Sequence, residues 1–138
     1  MKKKKKNSSA SFCRRCARCC SYFCIEIDTP ETRGDYDDLA WILAHRNVAI
    51  HVIGKTWQLM VHNRCRHLSK KEGCLIYDKR PRICRKHVPG SCEQDQKHRH
   101  DYDEVSHIFR TIEELLAYRD GEMRKKRKKA AKRRRRRA

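Results

Sequence analysis

The spacing of apolar positions changes along the chain, and each spacing predicts a different element. A helix is predicted to begin at Asp35, its expected N-cap, and to end near His45, because apolar residues there recur at intervals of three and four. Its expected buried face is Tyr36, Leu39, Ala40 and Leu43. The β-branched run at 48–53 predicts a strand, and a turn at Gly54 and Lys55 followed by residues 56–61 completes a predicted hairpin.

The most regular helical pattern lies nearer the C-terminal end. It predicts an amphipathic helix at 101–122, capped by Asp101 or Asp103, that packs on the rest of the domain. The apolar stripe of this helix is Val105, Ile108, Phe109, Ile112, Leu115 and Leu116. Lys, Arg and Ala favour helices, so helical structure can also continue past Gly121. Between the hairpin and this helix the sequence predicts loops, with one short strand at Leu75–Tyr77.

Positive charge is concentrated at the two ends of the chain. The formal net charge is +19, and the runs at 2–6 and 124–137 hold 17 of the 36 Lys and Arg residues. Like-charged runs repel themselves and bury little surface, so we expect residues 1–11 and 123–138 to be disordered basic tails when nothing is bound. Tails of this kind bind polyanions by releasing counterions. We therefore expect anchoring on RNA, a ribonucleoprotein or DNA, with an acidic membrane surface or simple solubilisation as the alternatives.

The residues expected to contact nucleic acid are the Lys and Arg residues of these two runs. They are Lys2, Lys3, Lys4, Lys5, Lys6, Arg124, Lys125, Lys126, Arg127, Lys128, Lys129, Lys132, Arg133, Arg134, Arg135, Arg136 and Arg137. The sequence contains no run of about 18 apolar residues, so it predicts no transmembrane segment. A polar stretch follows Lys6 where a signal peptide needs an apolar one, and we therefore expect a cytoplasmic protein.

Cysteines are the candidate ligands. Only 38% of the 138 residues are hydrophobic, against 38% charged, so we expect cross-links through the nine cysteines to stabilise the fold more than apolar packing does. Two-residue spacing, as in Cys13, Cys16 and Cys19, lets a turn bring successive thiolates to one ion. Later cysteines, at 65, 74, 84 and 92, are too far apart for local chelation and must be gathered by the fold.

The number and type of metal centres stay open at this stage. Eight thiolates can form two tetrahedral zinc sites, while three local ligands and a distant fourth also suit a [4Fe–4S] cluster. Cys19 and Cys20 are adjacent, so their side chains should diverge and serve different centres, unless one is a reactive thiol. Cys24 is expected to be a buried non-ligand, or else a spare ligand. A disulfide framework is the alternative to metal.

The cysteines and their neighbours carry a family resemblance over residues 12–93. Cys13-x-x-Cys16-x-x-Cys19-Cys20, then Cys65 with Leu68, then Cys74-x-Ile76-Tyr77-x-x-Arg80-Pro81-x-x-Cys84-Arg85, is similar to the YkgJ-like cysteine-cluster family of CxxCxxCC type. That family is described as zinc- or iron-chelating, or as containing iron–sulfur proteins. The resemblance implies a metal-binding set of Cys13, Cys16, Cys19, Cys20, Cys65, Cys74, Cys84 and Cys92. We expect Arg80 and Arg85 to offset the charge of these thiolates.

These observations give one expected fold and two functions. The fold is a small metal-stabilised, cysteine-rich α+β domain at 12–100, with a short helix and a β-hairpin, followed by the amphipathic helix and flanked by basic tails. The first function is a zinc- or iron-chelating accessory protein anchored on nucleic acid, not an enzyme, since no catalytic constellation is visible. The alternative is an iron–sulfur-dependent redox or methyl-transfer enzyme, because a longer branch of the family is associated with flagellin lysine methylation.

Overall fold

The computed structural model describes residues 16–86 and 105–137. The chain forms two compact units, each built from two separate stretches. We call residues 1–23 with 62–104 the cysteine unit, and residues 24–61 with 105–138 the sheet unit. The predictions made for Lys2–Lys6, Cys13, Cys92 and the caps Asp101 and Asp103 lie outside the described residues.

A four-stranded sheet forms the frame of the sheet unit. Its strands are β1 (Phe23–Ile27), β2 (Val48–Ile53), β3 (Thr56–Val61) and β6 (Val105–Phe109), in the order β1-β3-β2-β6. The predicted hairpin is confirmed, since β2 and β3 pair antiparallel from Val48↔Val61 to Ile53↔Thr56. Gly54 has a φ of 59°, a left-handed conformation that glycine adopts without steric cost.

The helix that we predicted at 101–122 begins only at Ile112. Residues Val105–Phe109 form β6 instead, which pairs antiparallel with β2 and places Phe109 opposite Ile50. A buried strand position attracts the same apolar residue types as a helix stripe, so a short apolar run can be misread. The prediction for Val105–Phe109 was therefore wrong, whereas the prediction for the following residues holds in helix α3 (Ile112–Arg137).

The start of α3 is fixed by reciprocal hydrogen bonds at its first turn. The Glu114 N–H donates to the Thr111 hydroxyl at 3.3 Å, and the Thr111 N–H donates to the Glu114 carboxylate at 3.2 Å. The Arg110 N–H also donates to that carboxylate. The backbone hydrogen bonds from Arg110 and then Thr111 lower the pKa of Glu114. This is a capping box, and Thr111-x-x-Glu114 before an apolar run is its sequence signature.

Loss of this cap is expected to weaken the junction between β6 and α3. The change Thr111→Ala removes the hydroxyl that accepts from Glu114 N–H, so we expect the free energy of unfolding to fall by about 0.5–2 kcal/mol. Urea denaturation monitored by circular dichroism measures this. Thr111→Ser keeps the hydroxyl and is the matched control. An equal loss of stability in both variants would contradict the capping role.

Helix α1 (Arg33–Leu43) also begins with a capping box. We predicted Asp35 as the N-cap, but the N-cap is Thr32, whose hydroxyl accepts from the Asp35 N–H at 3.2 Å. The Asp35 carboxylate in turn accepts from the N–H groups of Thr32 and Glu31, which lowers its pKa. Hydroxyl and carboxylate side chains are both good caps, and only the backbone geometry distinguishes them. The predicted end of α1 is confirmed, with Ala44 as its C-cap.

An apolar core fills the space between the helices and the sheet. The predicted buried face of α1 is confirmed at Tyr36, Leu39 and Leu43. Trp57 packs edge-on against Tyr36 and stacks on Phe109, with ring centroids 6.2 and 5.8 Å apart. The core cluster consists of Tyr36, Leu39, Leu43, Ile50, Val52, Trp57, Phe109 and Leu115. Our expectation that metal ligation outweighs apolar packing is thus wrong for the sheet unit, because burial of these side chains supplies a metal-independent driving force.

The basic segment after Gly121 belongs to helix α3. We expected a disordered basic tail at 123–138, but the structure has helix up to Arg137. The helix propensity of Lys, Arg and Ala, which we noted for this segment, favours its continuation past Gly121. The first half of α3 is anchored by Leu115, which is fully buried. The Lys125 ammonium forms an ion pair with the Glu122 carboxylate at 2.7 Å. The helix dipole also favours the arginines of the last turn, Arg134–Arg137.

Candidate metal centre

The described part of the cysteine unit is built from short turns and a two-stranded ribbon. A 3-10 turn (Arg18–Cys20) carries the first thiols, and a second 3-10 turn (Tyr77–Lys79) precedes helix α2 (Arg82–Lys86). The ribbon consists of β4 (Leu68–Ser69) and β5 (Gly73–Cys74). We predicted a strand at Leu75–Tyr77, and the pairing instead lies at Gly73–Cys74. The Leu75 N–H still donates to the His67 carbonyl oxygen, which extends the pairing by one bond.

Cys20 is the centre of a group of four thiols. Burial is the largest of the causes that raise its pKa to about 12, and the charges of Cys19, Cys65 and Cys74 and a side-chain hydrogen bond with Cys19 also contribute. Like charges act on each other only at short range in a protein surrounded by water. The fold therefore gathers cysteines that are up to 55 positions apart in the sequence.

One backbone hydrogen bond joins the two stretches of the cysteine unit at this group. The Cys65 N–H donates to the Cys20 carbonyl oxygen at 2.7 Å. Three residues on, the Leu68 N–H donates to the Cys65 carbonyl oxygen, and Leu68 pairs with Cys74 across the ribbon. A continuous chain of backbone contacts thus leads from Cys20 through Cys65 to Cys74.

The turn of the ribbon contains two residues that sequence reasoning missed. The Ser69 hydroxyl accepts hydrogen bonds from the Lys71 and Glu72 N–H groups at 3.3 Å each. Gly73 has a φ of 74°, which suits glycine and is rare for other residues. A serine four residues before a glycine is a turn signal, and here it directs Cys74 back towards Leu68.

Cys19 and Cys20 do not diverge as we predicted. The side chain of Cys19 forms a hydrogen bond with that of Cys20. The 3-10 turn ends at Cys20, and the Cys20 N–H bonds to Ala17, whose φ of 49° is left-handed. Both cysteines lie in this three-residue turn and not in the regular α-helix or strand from which divergence was inferred, and their thiols are within hydrogen-bonding reach of each other.

The remaining predicted ligands have different positions. Cys16 is half-buried just before the 3-10 turn, and Cys84 is exposed in α2. Cys24 lies in β1, and our prediction that it is buried is wrong because its residue is exposed. No disulfide joins any of the seven cysteines described, at positions 16, 19, 20, 24, 65, 74 and 84.

The thiols around Cys20 are close enough to affect its pKa, but their described positions do not form a chelate. Within residues 16–86 and 105–137, no three His, Cys, Asp or Glu side chains are placed to hold one metal ion. Neutral thiols have no reason to converge on a point, whereas thiolates do so around a cation. The donor chemistry nevertheless fits a soft metal, since sulfur ligands select zinc and iron–sulfur clusters.

Arg80, which we expected to offset the charge of the thiolates, makes two contacts with Tyr77. Its guanidinium lies 3.8 Å from the centroid of the Tyr77 ring, and its Nε donates to the Tyr77 carbonyl oxygen at 2.8 Å. Pro81 follows directly, and the fixed φ of proline supports this compact turn before α2. Arg80 therefore stabilises the turn that precedes Cys84.

The fold and the gathered thiols define a small α+β domain with a cysteine-rich unit suited to metal binding. A family model, CxxCxxCC, described as "Putative zinc- or iron-chelating domain", matches residues 12–109. The chain therefore belongs to this family. Searches of curated proteins and of solved structures found no significant match. In the described part of the chain, no helix is both long and apolar enough to cross a membrane.

Metal binding at this group is expected to release protons. Because burial and the neighbouring thiols raise the pKa of Cys20 to about 12, this thiol is protonated at pH 7 and must lose its proton to become a ligand. Affinity for zinc should therefore rise with pH, by on the order of tenfold per pH unit for each proton released. Titration calorimetry in buffers of different ionisation enthalpy counts these protons. Cys20→Ser should release about one proton fewer, and an unchanged proton count would contradict the assignment of Cys20 as a ligand.

Proposed function

We propose that the cysteine unit binds zinc or iron through the thiols around Cys20, and that the basic ends of the chain attach it to RNA, a ribonucleoprotein or DNA. The observation that carries the metal part is that Cys19, Cys65 and Cys74 all lie close enough to Cys20 to raise its pKa. Four thiols in one small region are costly as unscreened thiolates and favourable once a cation neutralises them.

The number of thiols in this group matches the needs of a tetrahedral sulfur site. Structural zinc sites have four ligands in a tetrahedral arrangement, and four cysteine thiolates can supply all of them. Cys16 and Cys84 supply further thiols in the same unit, and Cys13 and Cys92 complete the set of eight inferred from the sequence. Two zinc ions or an iron–sulfur cluster would suit this donor set.

Anaerobic purification followed by metal analysis and visible absorption tests the metal part. Colourless protein with about two zinc ions per chain would establish zinc, and brown protein with roughly four irons and sulfides would establish a cluster. Cys24→Ser is the matched control, because Cys24 lies in the sheet unit and should not alter the metal content. Protein that contains no zinc or iron and does not bind either on titration would refute the proposal.

The second part of the proposal rests on the charge of helix α3. From Arg124 to Arg137 it carries 12 Lys and Arg residues and no acidic residue, and every residue in this stretch is exposed. Such a surface attracts phosphate groups and displaces condensed counterions, so binding should be strong at low salt and independent of sequence.

Removal of residues 124–138 is expected to abolish most nucleic-acid binding. The plot of log affinity against log salt concentration should lose a slope of about 0.9 for each phosphate contact removed. Replacing Lys2–Lys6 by glutamine measures the contribution of the other end in the same assay. Fluorescence anisotropy with labelled RNA and DNA gives both values. Unchanged binding after the deletion would contradict attachment through α3.

A further inference from the structure

The basic half of α3 has an unusual linear density of charge. We call residues 124–137 the basic arm; it has 14 residues, of which 12 are Lys or Arg. At about 1.5 Å per residue this helix is about 21 Å long, which gives one positive charge per roughly 1.8 Å. Double-stranded DNA carries one negative charge per about 1.7 Å of axis, and a single strand carries one per about 3.4 Å. The helical arm therefore matches the charge spacing of a duplex.

The same residues in an extended chain would not match a duplex. At about 3.3 Å per residue, 14 residues would span about 46 Å, and the charges would be roughly 4 Å apart. That spacing is close to that of a single strand. The helical state of the arm is thus the feature that distinguishes the two kinds of nucleic acid.

The charges also surround the helix on all sides. Successive residues are rotated by about 100°, so the Lys and Arg residues occupy the whole circumference, and only Ala130 and Ala131 are uncharged. A helix in a groove has phosphates on both flanks, and charges on both sides can reach them. A membrane-surface helix needs an apolar face, and single-stranded nucleic acid is held by aromatic stacking. The arm has neither an apolar face nor an aromatic residue.

The sheet unit fixes the base of the arm. Leu115 is buried in the core, and the Arg119 guanidinium lies 3.4 Å from the Asp37 carboxylate of α1. At the first turn of the arm, the Lys126 ammonium donates to the Glu31 carbonyl oxygen at 3.4 Å. The arm thus continues a helix whose direction is set by packing, so less conformational entropy is lost on binding than for a disordered tail.

We infer that the basic arm binds along the major groove of a B-form DNA duplex, through its phosphates and without sequence preference. This inference rests on the proposed function, in which the basic ends bind nucleic acid. An α-helix with its side chains is about 10–12 Å across, and the major groove of B-form DNA is about 12 Å wide. The major groove of A-form RNA is deep and narrow, which makes it a poorer fit.

A change in helix geometry at constant charge tests this inference. Ala130→Pro interrupts the helix in the middle of the arm, because proline lacks the N–H and clashes with the preceding turn. Ala130→Gln keeps both the charge and the helix and is the matched control. Both changes are made in the full chain, at an exposed position outside the core. The probes are a DNA duplex, an RNA duplex of the same sequence, a single strand with an equal number of phosphates, and vesicles containing phosphatidylserine.

We expect the wild-type protein and Ala130→Gln to bind the DNA duplex about tenfold more tightly than the single strand or the RNA duplex. Ala130→Pro should lose this preference while retaining salt-dependent binding to the single strand. Equal or tighter wild-type binding to the single strand, the RNA duplex or the vesicles would overturn the inference, as would an unchanged preference in Ala130→Pro.

A second variant distinguishes failure of the duplex inference from failure of the proposed attachment to nucleic acid. Replacing Arg133–Arg137 by glutamine removes five charges and keeps a helix-favouring residue at each position. Weaker binding to every nucleic acid in this variant supports attachment through the arm, whatever the duplex preference proves to be. If these five changes leave all nucleic-acid binding unaltered, the proposed attachment through α3 fails together with the inference.

Discussion

Replacing Cys65 by serine is expected to lower metal affinity by more than about 100-fold. Cys65 lies at the junction of the two stretches of the cysteine unit, where its N–H donates to Cys20, and its thiol influences the pKa of Cys20. A serine hydroxyl is nearly isosteric but is not deprotonated at neutral pH, so it is a poor ligand for a soft metal. The backbone hydrogen bond to Cys20 is retained, and the effect therefore reports on ligation. Competition with a chromophoric chelator measures the affinity.

Cys24→Ser provides the comparison for this experiment. The residue is exposed and lies in the sheet unit, outside the unit that contains the six other described cysteines. The metal affinity of Cys24→Ser should stay within about twofold of the wild-type value, because no metal ligand is removed. If Cys24→Ser and Cys65→Ser lost metal affinity equally, the total number of cysteines, and not the group around Cys20, would determine metal binding.

Truncating Leu115 to alanine is expected to cause a large loss of stability in the sheet unit. Leu115 is 0% exposed and belongs to the core cluster. Loss of its buried methyl groups and the cavity left behind should lower the free energy of unfolding by about 2–5 kcal/mol. For a unit of this size the midpoint of thermal unfolding should fall by roughly 10 °C or more. Circular dichroism during heating measures this change.

Trp41→Ala is the control for Leu115. The Trp41 residue is 68% exposed although it lies on α1, so we expect a change in the free energy of unfolding within about 0.5 kcal/mol. Both variants should bind as much metal as the wild-type protein, since neither change lies in the cysteine unit. A greater loss of stability at Trp41 than at Leu115 would contradict the core described here.

The sheet unit was predictable wherever one local signal was unambiguous. The β-branched run before Gly54 predicted the hairpin, and the three- and four-residue spacing after Thr32 predicted α1. The segment Val105–Phe109 failed because its apolar residues fit a helix stripe as well as a strand. Pairing with β2 decides between the two, and such a long-range contact leaves no local pattern. The capping box at Thr111 was a local signal that would have placed the start of α3 correctly.

The cysteine unit was predictable in its ligand types but not in their grouping. Spacing indicated that Cys65 and Cys74 must be gathered by the fold, and the structure brings both to Cys20. No periodicity could reveal the hydrogen bond from Cys65 to Cys20, because it joins stretches separated by the entire hairpin and α1. The divergence expected of Cys19 and Cys20 assumed an α-helix or a strand, whereas both residues lie in a three-residue 3-10 turn.

X-ray absorption at the zinc or iron edge tests the central claim most directly. The claim is that the thiols around Cys20 are metal ligands, and it predicts a first shell dominated by sulfur, at about 2.3 Å for zinc. The sulfur shell should lose intensity in Cys65→Ser and stay intact in Cys24→Ser. A first shell of nitrogen and oxygen only, or a sulfur shell that Cys65→Ser leaves unaltered, would contradict it.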